Sequence, residues 1–461
     1  MSGADITGVT GGVGGIEATY DAVRALADVF DRTGDELRAW AGDGCRALVD
    51  PDLASSALLS PVTFAAAEAA ILAATTGPLG LLACSLGWEA DAILVRGALA
   101  ALVASDDAAQ LALDVIDWRL GLTAGLALRA AGPAAAVALS SMPPAMRARL
   151  GAAVQRWIVH HPGVVQHAIN GGGGLLTGLS PLPVLVPDNR TATRLLASAY
   201  DDGAAGTVRR PDLGSTVSDR QPATVRGLVE HLSEVAALSP TPSSGDNGTI
   251  EVQSLDPGTD HARHVVYLPG TDDLGTLPTT QDGDIRDLGT DLRSAADLPT
   301  SYQQGILDAM HRAGIGPHEP VLLVGHSLGG MEAAALASHD TGFAITDVVT
   351  AGSPTAQVCG FPDGVHVLSL EHHGDVVPLL DGADNPDSVE QTTVTFDDDR
   401  ADSTVVGAHG YGHYIAGGAA VDASSDPSIT EQIAGLRDRG FLEGGRPAAE
   451  VTSQVFQVVR R

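Results

Sequence analysis

The chain has 461 residues, 44% of them hydrophobic and 18% charged, which is long enough for two folded domains rather than one ordinary core. A formal net charge of −31 argues against nucleic acid as a partner, since such binding needs a basic stripe to release counterions, and against attraction to an anionic membrane surface. All 26 basic side chains are arginine; Cys45, Cys84 and Cys359 form neither a disulfide framework nor a C-x-x-C metal spacing, so buried free thiols are expected.

The opening "MSGADITGVTGGVGG" lacks the basic and apolar regions of a secretory signal peptide, so export would need another route. From Gly15 the positions Ile16, Tyr20, Val23, Leu26, Val29 and Phe30 recur at steps of three and four, which predicts an amphipathic helix, and Leu37 and Trp40 continue its stripe. The Ala-rich stretch from Val62 to Trp88 comes nearest to a membrane span. Glu68, Gly77 and Pro78 interrupt it, and alanine contributes little to insertion, so a buried helix pair is predicted there. Helices are expected at about 62–76, 88–104, 107–130 and 145–160, broken by Gly-Pro at 77 and 132 and by "MPP" at 142.

After His160, "INGGGGLLTGLSPLPVLVPDN" reads as an irregular loop packed on the helices, ahead of an arm that meets a membrane or shelters an acyl chain. The helix "ATVRGLVEHLSEVAAL" then precedes the linker-like "SPTPSSGDNG".

From Thr249 strands and helices alternate. Strands are predicted at "TIEVQSL", "HVVYLPG", "VLLVGH", "ITDVVTAGS", "VHVLSLE" and "TTVTF", with helices at "SYQQGILDAMHRAG" and after "GHSLGG". This pattern predicts an α/β fold with a mostly parallel sheet flanked by helices, preceded by an Ala-rich all-α domain. The expected domains are 1–215 and 216–461. Ligands of such sheets sit beyond the carboxyl ends of the strands.

One corner of this half carries chemistry. In "VLLVGHSLGG" an aliphatic strand runs into Gly325-His326-Ser327-Leu328-Gly329, followed by helix formers. A G-x-S-x-G corner between strand and helix is a nucleophile elbow, which makes Ser327 the candidate nucleophile ahead of an incidental serine in a tight turn. A serine needs a base, and the base needs a carboxylate to orient it. Asp375, in the turn after "VHVLSL", is preferred to Asp363, which precedes that strand, and to Asp381, which lies further on. For the base, the loop "GAHGYGHYIAG" offers His409 first and His413 second; His372 and His373 adjoin the acid, and His326 is expected to pack beneath the elbow. An oxyanion hole would use the Leu328 N–H and, after "VVYLPG", the N–H of Thr271, with its hydroxyl as a further donor.

Together these residues resemble the α/β-hydrolase superfamily. "GHSLGG" is similar to the elbow of its lipases and esterases, class 3 lipases included, and "VVTAGSP" and "EHHGDVVP" resemble the next strand and the acid loop of those lipases. The resemblance covers roughly 245–425. It implies a Ser327, Asp375 and His409 triad that hydrolyses acyl esters through an acyl-enzyme. A second resemblance lies at the start: a helix ending in Trp40-Ala41-Gly42 looks like the WXG100-type hairpins of type VII secretion substrates. The Tyr-x-x-x-Asp/Glu signal that accompanies those hairpins is absent, so an exported or envelope location and a cytoplasmic one both stay open.

The expected activity is therefore that of a serine esterase or lipase acting on a small-molecule ester or lipid, with no metal and no organic cofactor. Thioesterase, acyltransferase or peptidase chemistry would use the same machinery. The competing class is a non-catalytic protein whose helical part binds secretion machinery or another helical partner. Segment 274–299 occupies the position of a lid; it is polar and without aromatic residues, which predicts modest substrates.

Overall fold

The structure is a computed structural model that describes residues 3–239, 247–358, 360–398, 400, 402, 404–444 and 449–461. Cys359 and most of the predicted linker "SPTPSSGDNG" lie outside the described residues. The chain divides into two compact units: 17–112, and 3–16 with 113–461. The boundary expected near 215 falls inside the second of these, which groups 113–215 with the rest of the chain to 461.

That unit is built on nine strands: β1 (Ala4–Gly11), β2 (Ala205–Arg209), β3 (Thr249–Leu255), β4 (Arg263–Leu268), β5 (Pro320–His326), β6 (Ala344–Ala351), β7 (His366–His372), β8 (Gln391–Asp398) and β9 (Val451–Arg460). Their order across the sheet is β1-β8-β7-β6-β5-β4-β3-β9-β2. β4 to β8 are parallel, with β1 antiparallel on one flank and β3, β9 and β2 antiparallel on the other. Helices cover both faces. Leu322 and Val324 of β5 point into a core shared with the helices Val225–Ala236, Tyr411–Asp422 and Pro427–Asp438. Val321 and Leu323 point into the opposite core, with Ser301–Ala313 and Leu328–Ala337. A strand covered on both sides has no polar face to show, which is why "VLLV" is an unbroken apolar run.

All six strands predicted from the sequence are present. β1, β2 and β9 were not predicted: they are edge or antiparallel strands whose sequences carry Thr, Ser, Gln and Gly among the apolar residues.

Within the stretch 169–189 read as a loop, residues 180–188 are irregular as expected, but the glycine-rich start closes the helix Pro162–Asn170 and forms the helix Gly172–Leu179. Its glycines are explained by backbone contact. A Cβ on Gly174 would meet the Trp118 carbonyl oxygen at 1.9 Å, and one on Gly121 the Gly171 carbonyl oxygen at 2.0 Å. The short helix thus lies against residues 117–126 of a long one at a distance only glycine permits, and tertiary packing overrides glycine's poor helix propensity.

The other unit, 17–112, is helical. Its first helix belongs to Ile16–Ala47 and runs straight through Trp40-Ala41-Gly42, so the expected turn is absent there. Its buried residues are Ala27, Gly34 and Ala41, a stripe of small side chains at seven-residue intervals, whereas Leu26, Val29 and Trp40 are exposed. Pro51–Leu59 and Pro61–Thr75 follow, and then Leu81–Ser141, a 61-residue helix that merges two predicted ones and continues through Pro133. The helix pair expected to be buried around 62–88 is present but exposed: Val62, Leu79 and Leu86 face outward, while Ser85 and Ala92 pack inward. Leu81–Ser141 is long and apolar enough to cross a membrane by length and composition. Cys45 is half-buried and Cys84 exposed, both free thiols, contrary to the burial expected of them.

Candidate active site

The parallel strands deliver the candidate residues to one end of the sheet. Gly270 and Thr271 follow β4, Ser327 follows β5, Asp375 follows β7, and His409 follows β8. Ser327 sits between strand and helix with φ 53° and ψ −124°, one of three non-glycine residues with positive φ among those described. Such a conformation is costly for an L-residue and survives only where its surroundings enforce it. Here the Ser327 N–H donates to the Ala351 carbonyl (3.0 Å), and the Gly330 and Met331 N–H groups donate to the Ser327 carbonyl (3.0 and 3.1 Å). Gly329 lets the following helix press against β4: a Cβ there would meet the Leu268 carbonyl oxygen at 1.8 Å.

His409 Nδ1 donates to Asp375 Oδ2 at 2.5 Å. Asp375 is buried and fully satisfied, since Oδ1 accepts the Val377 N–H (2.9 Å) and Oδ2 also accepts the Tyr414 hydroxyl (2.5 Å). The proton on Nδ1 leaves His409 Nε2 as a lone pair, and that atom is buried without a hydrogen-bond partner. His409 and Ser327 line the same cavity. Catalytic serine–histidine bonds are often long before substrate binds, so a free Nε2 is a usable acceptor.

His326 is more than the packing residue expected beneath the elbow. Its Nε2 donates to the His409 carbonyl (3.0 Å), and its ring lies tilted 4.3 Å from that of His409 and 4.2 Å from that of Tyr411. Burial, with His409 close by, pushes its pKa well down and keeps it neutral. His413 takes no part: Asp398 Oδ1 (2.8 Å) and Asp402 Oδ2 (2.7 Å) hold its two nitrogens. Asp363 is exposed before β7, at the far end of the sheet. Asp381 is buried, but it accepts the Ala356 N–H (2.8 Å) and braces a loop.

Gly270 brings the loop after β4 against the elbow; a Cβ there would lie 2.9 Å from Ser327 Cβ. Leu328 is the first residue of its helix, where the helix itself offers its N–H no acceptor. Thr271 lines the same cavity, but its hydroxyl donates to Asp291 Oδ1 (2.7 Å), so only its N–H remains for a substrate oxygen. Burial raises the Asp291 pKa to about 7. Behind this loop the fully buried Arg286 donates to Asp272 Oδ2 (3.0 Å from Nε), while its carbonyl accepts the Asp272 N–H (2.9 Å). The candidate lid segment is therefore anchored: Asp284, Ile285 and Arg286 are buried, and Leu288–Ala295 is a helix.

The cavity over Ser327 has a volume of about 680 Å³ and is chiefly apolar, with Ile169, Leu175, Leu176, Ala192, Leu196 and Leu292 among its lining. Its roof is the set of helices between Pro162 and Ala197, which takes in the glycine-rich part of the stretch 169–189 expected to be a loop. Asn189 Nδ2 to the Asp381 carbonyl (2.9 Å) and Arg190 Nη2 to Asp297 (2.7 Å) fasten this roof to the loops of the sheet.

Tyr414, Tyr411 and the roof residues are not singled out by the sequence, which points to His326 only as a packing residue. The tyrosines stand in the "GYGHYIAG" segment that also carries the candidate histidine His413, three residues apart and so on one side of a helix.

Comparison with models of known families, with curated proteins and with solved structures finds no match to this chain.

Proposed function

We propose that this chain is a serine hydrolase of the α/β-hydrolase type that cleaves carboxylic esters with an apolar acyl group. The observation that carries this reading is the strained Ser327 in one cavity with His409, whose other nitrogen is held by the buried Asp375.

In the proposed reaction Ser327 Oγ attacks the ester carbonyl as His409 Nε2 takes its proton, and Asp375 Oδ2 steadies the imidazolium through Nδ1. The Leu328 and Thr271 N–H groups receive the negative charge that forms on the carbonyl oxygen. His409 then returns the proton to the departing alcohol, leaving an acyl-serine. Water, deprotonated by His409, attacks this ester, and collapse of the second intermediate frees the acid and Ser327. A thioester would follow the same steps. The volume and lining of the cavity favour an acyl chain over the modest substrates expected from the polar segment 274–299.

The test is release of p-nitrophenol from esters of graded acyl length by the wild type and by Ser327→Ala. Turnover that vanishes in the variant, with a preference for medium or long chains, supports the proposal. Equal rates for the two proteins would overturn it.

A further inference from the structure

Outside the cavity, one group of buried side chains lacks a full set of partners. His372 ends β7, Asp398 ends β8, and His413 lies in the helix Tyr411–Asp422. One donor atom from each falls within 4.8 Å of the others. All three side chains are at most 5% exposed. His372 Nδ1 faces the Ala408 carbonyl at 3.2 Å, a bond that requires the ring proton on Nδ1. Nε2 is then a lone pair. It is buried without a hydrogen-bond partner, and it faces Asp398 Oδ1 at 3.7 Å and Asp397 Oδ1 at 3.8 Å. Asp398 Oδ2 is likewise buried without a hydrogen-bond partner, with Arg400 Nε 3.7 Å away; the Arg400 N–H reaches Asp398 Oδ1 at 3.2 Å. A lone pair set against carboxylate oxygens beyond hydrogen-bond range, one of them on the buried Asp398 and the other on the exposed Asp397, is unfavourable unless a proton or a metal cation lies between them.

We propose that His372 Nε2, His413 Nδ1 and the Asp398 carboxylate bind one divalent cation of the borderline class, zinc being the best fit. Two imidazoles and a carboxylate are a common zinc donor set. Donor atoms about 2.0–2.1 Å from a tetrahedral zinc are about 3.3–3.4 Å apart, a spacing bracketed by the 2.8 Å from Asp398 Oδ1 to His413 and the 3.7 Å to His372. The outer partners also fit. Metal-bound imidazoles donate their second N–H to a carboxylate or a backbone carbonyl, which are the roles of Asp402 Oδ2 (2.7 Å from His413 Nε2) and the Ala408 carbonyl. Asp397 or water completes the coordination.

The cation touches no reacting atom. His372 stands three residues before Asp375, and Ala408 directly precedes His409, so the site ties the ends of β7 and β8 to the segment that carries the candidate base. Its role is to position that segment. The inference does not depend on the proposed hydrolysis, because its readout is metal binding without an ester present.

The test uses the full chain, stripped with chelator and titrated with ZnCl₂ in a calorimeter, with CoCl₂ in parallel as a spectroscopic probe. The wild type should bind one equivalent of zinc with submicromolar affinity, and cobalt should give the intense visible bands of a tetrahedral site. His372→Gln should abolish stoichiometric binding, Asp402→Asn should weaken it about 10–100-fold, and His373→Gln, at an exposed neighbour, should leave it unchanged. Absence of saturable zinc binding in the wild type, or binding by His372→Gln equal to wild type, overturns the proposal. Should His372→Gln fail to fold, the wild-type cobalt spectrum and the Asp402→Asn affinity decide: no tetrahedral bands, or an unchanged affinity, would sink it.

Discussion

The Tyr414 hydroxyl and the His409 ring share a single oxygen of Asp375, each at 2.5 Å. With the Val377 N–H on the other oxygen, the buried carboxylate is held by three donors. Tyr414→Phe removes one of them without changing the shape of the core. A hydrogen bond to a charged group contributes about 1.5–3 kcal/mol, so the variant should lose stability on that scale. It should also lower kcat on a p-nitrophenyl ester by roughly tenfold or more, because a less well-held acid orients His409 less well. A denaturant melt and a kcat measured on the same preparation check both. Full activity in Tyr414→Phe would show that the tyrosine only fills space.

Gly270→Ala should fold and yet be nearly inactive. The added methyl would stand 2.9 Å from both Ser327 Cβ and His326 Nδ1, and relief requires the elbow or the oxyanion loop to move. Loss of one oxyanion donor costs about 10²–10³ in kcat, and a drop of that size with an unchanged far-ultraviolet dichroism spectrum is the expected result.

Glu332 is fully buried one helical turn beyond Ser327, accepting the Thr300 hydroxyl at 2.9 Å, and burial raises its pKa from 4.5 to about 7. The folded state therefore binds a proton that the unfolded state releases. Stability from this group is complete below pH 4.5, falls as pH rises towards 7, and levels off above. Glu332→Gln should flatten that part of the profile and melt a few degrees higher than the wild type at pH 8. Asp381, raised to about 7 by burial, should leave part of the slope behind. Parallel melting curves for the variant and the wild type from acid to pH 8 would refute the assignment.

Leu176→Trp narrows the cavity from its helical roof and leaves Ser327, His409 and the proposed oxyanion donors unchanged in sequence. Short esters should be cleaved at wild-type rates and the longest accepted acyl group should shorten, each excluded methylene being worth about 1–3 kcal/mol of discrimination. An unchanged chain-length profile would place the acyl group elsewhere.

Much of the sheet and of the candidate site could be read from local sequence, and the reasons are physical. β4 to β8 are covered on both faces, so their sequences are dense in aliphatics, and Ser327 stands in a corner whose glycines are required by backbone contact. Asp375 and His409 follow the carboxyl ends of β7 and β8, a placement that the strand pattern in the sequence makes legible. What escaped depended on partners far along the chain. The glycines of Gly172–Leu179 read as a loop because their reason is the backbone of residues 117–126. Ile16–Ala47 has an apolar stripe that predicts one buried face, but it packs through Ala27, Gly34 and Ala41 instead. In the sequence His372 stands only as a neighbour of the candidate acid and His413 only as a rival for the base. Their meeting with Asp398 depends on how β7, β8 and a later helix come together, which neither residue's local sequence reveals.

The position of β9 bears on how this sheet is made. Residues 451–460 pair with β3 on one side and β2 on the other, although both of those strands are synthesised long before it. A nascent chain on the ribosome must hold one edge of β3 open until the late strand emerges and slots in. That exposed edge invites pairing with other chains, so a pause in translation upstream of residue 451 should leave the protein dependent on chaperones, however well the central parallel strands have already zipped together.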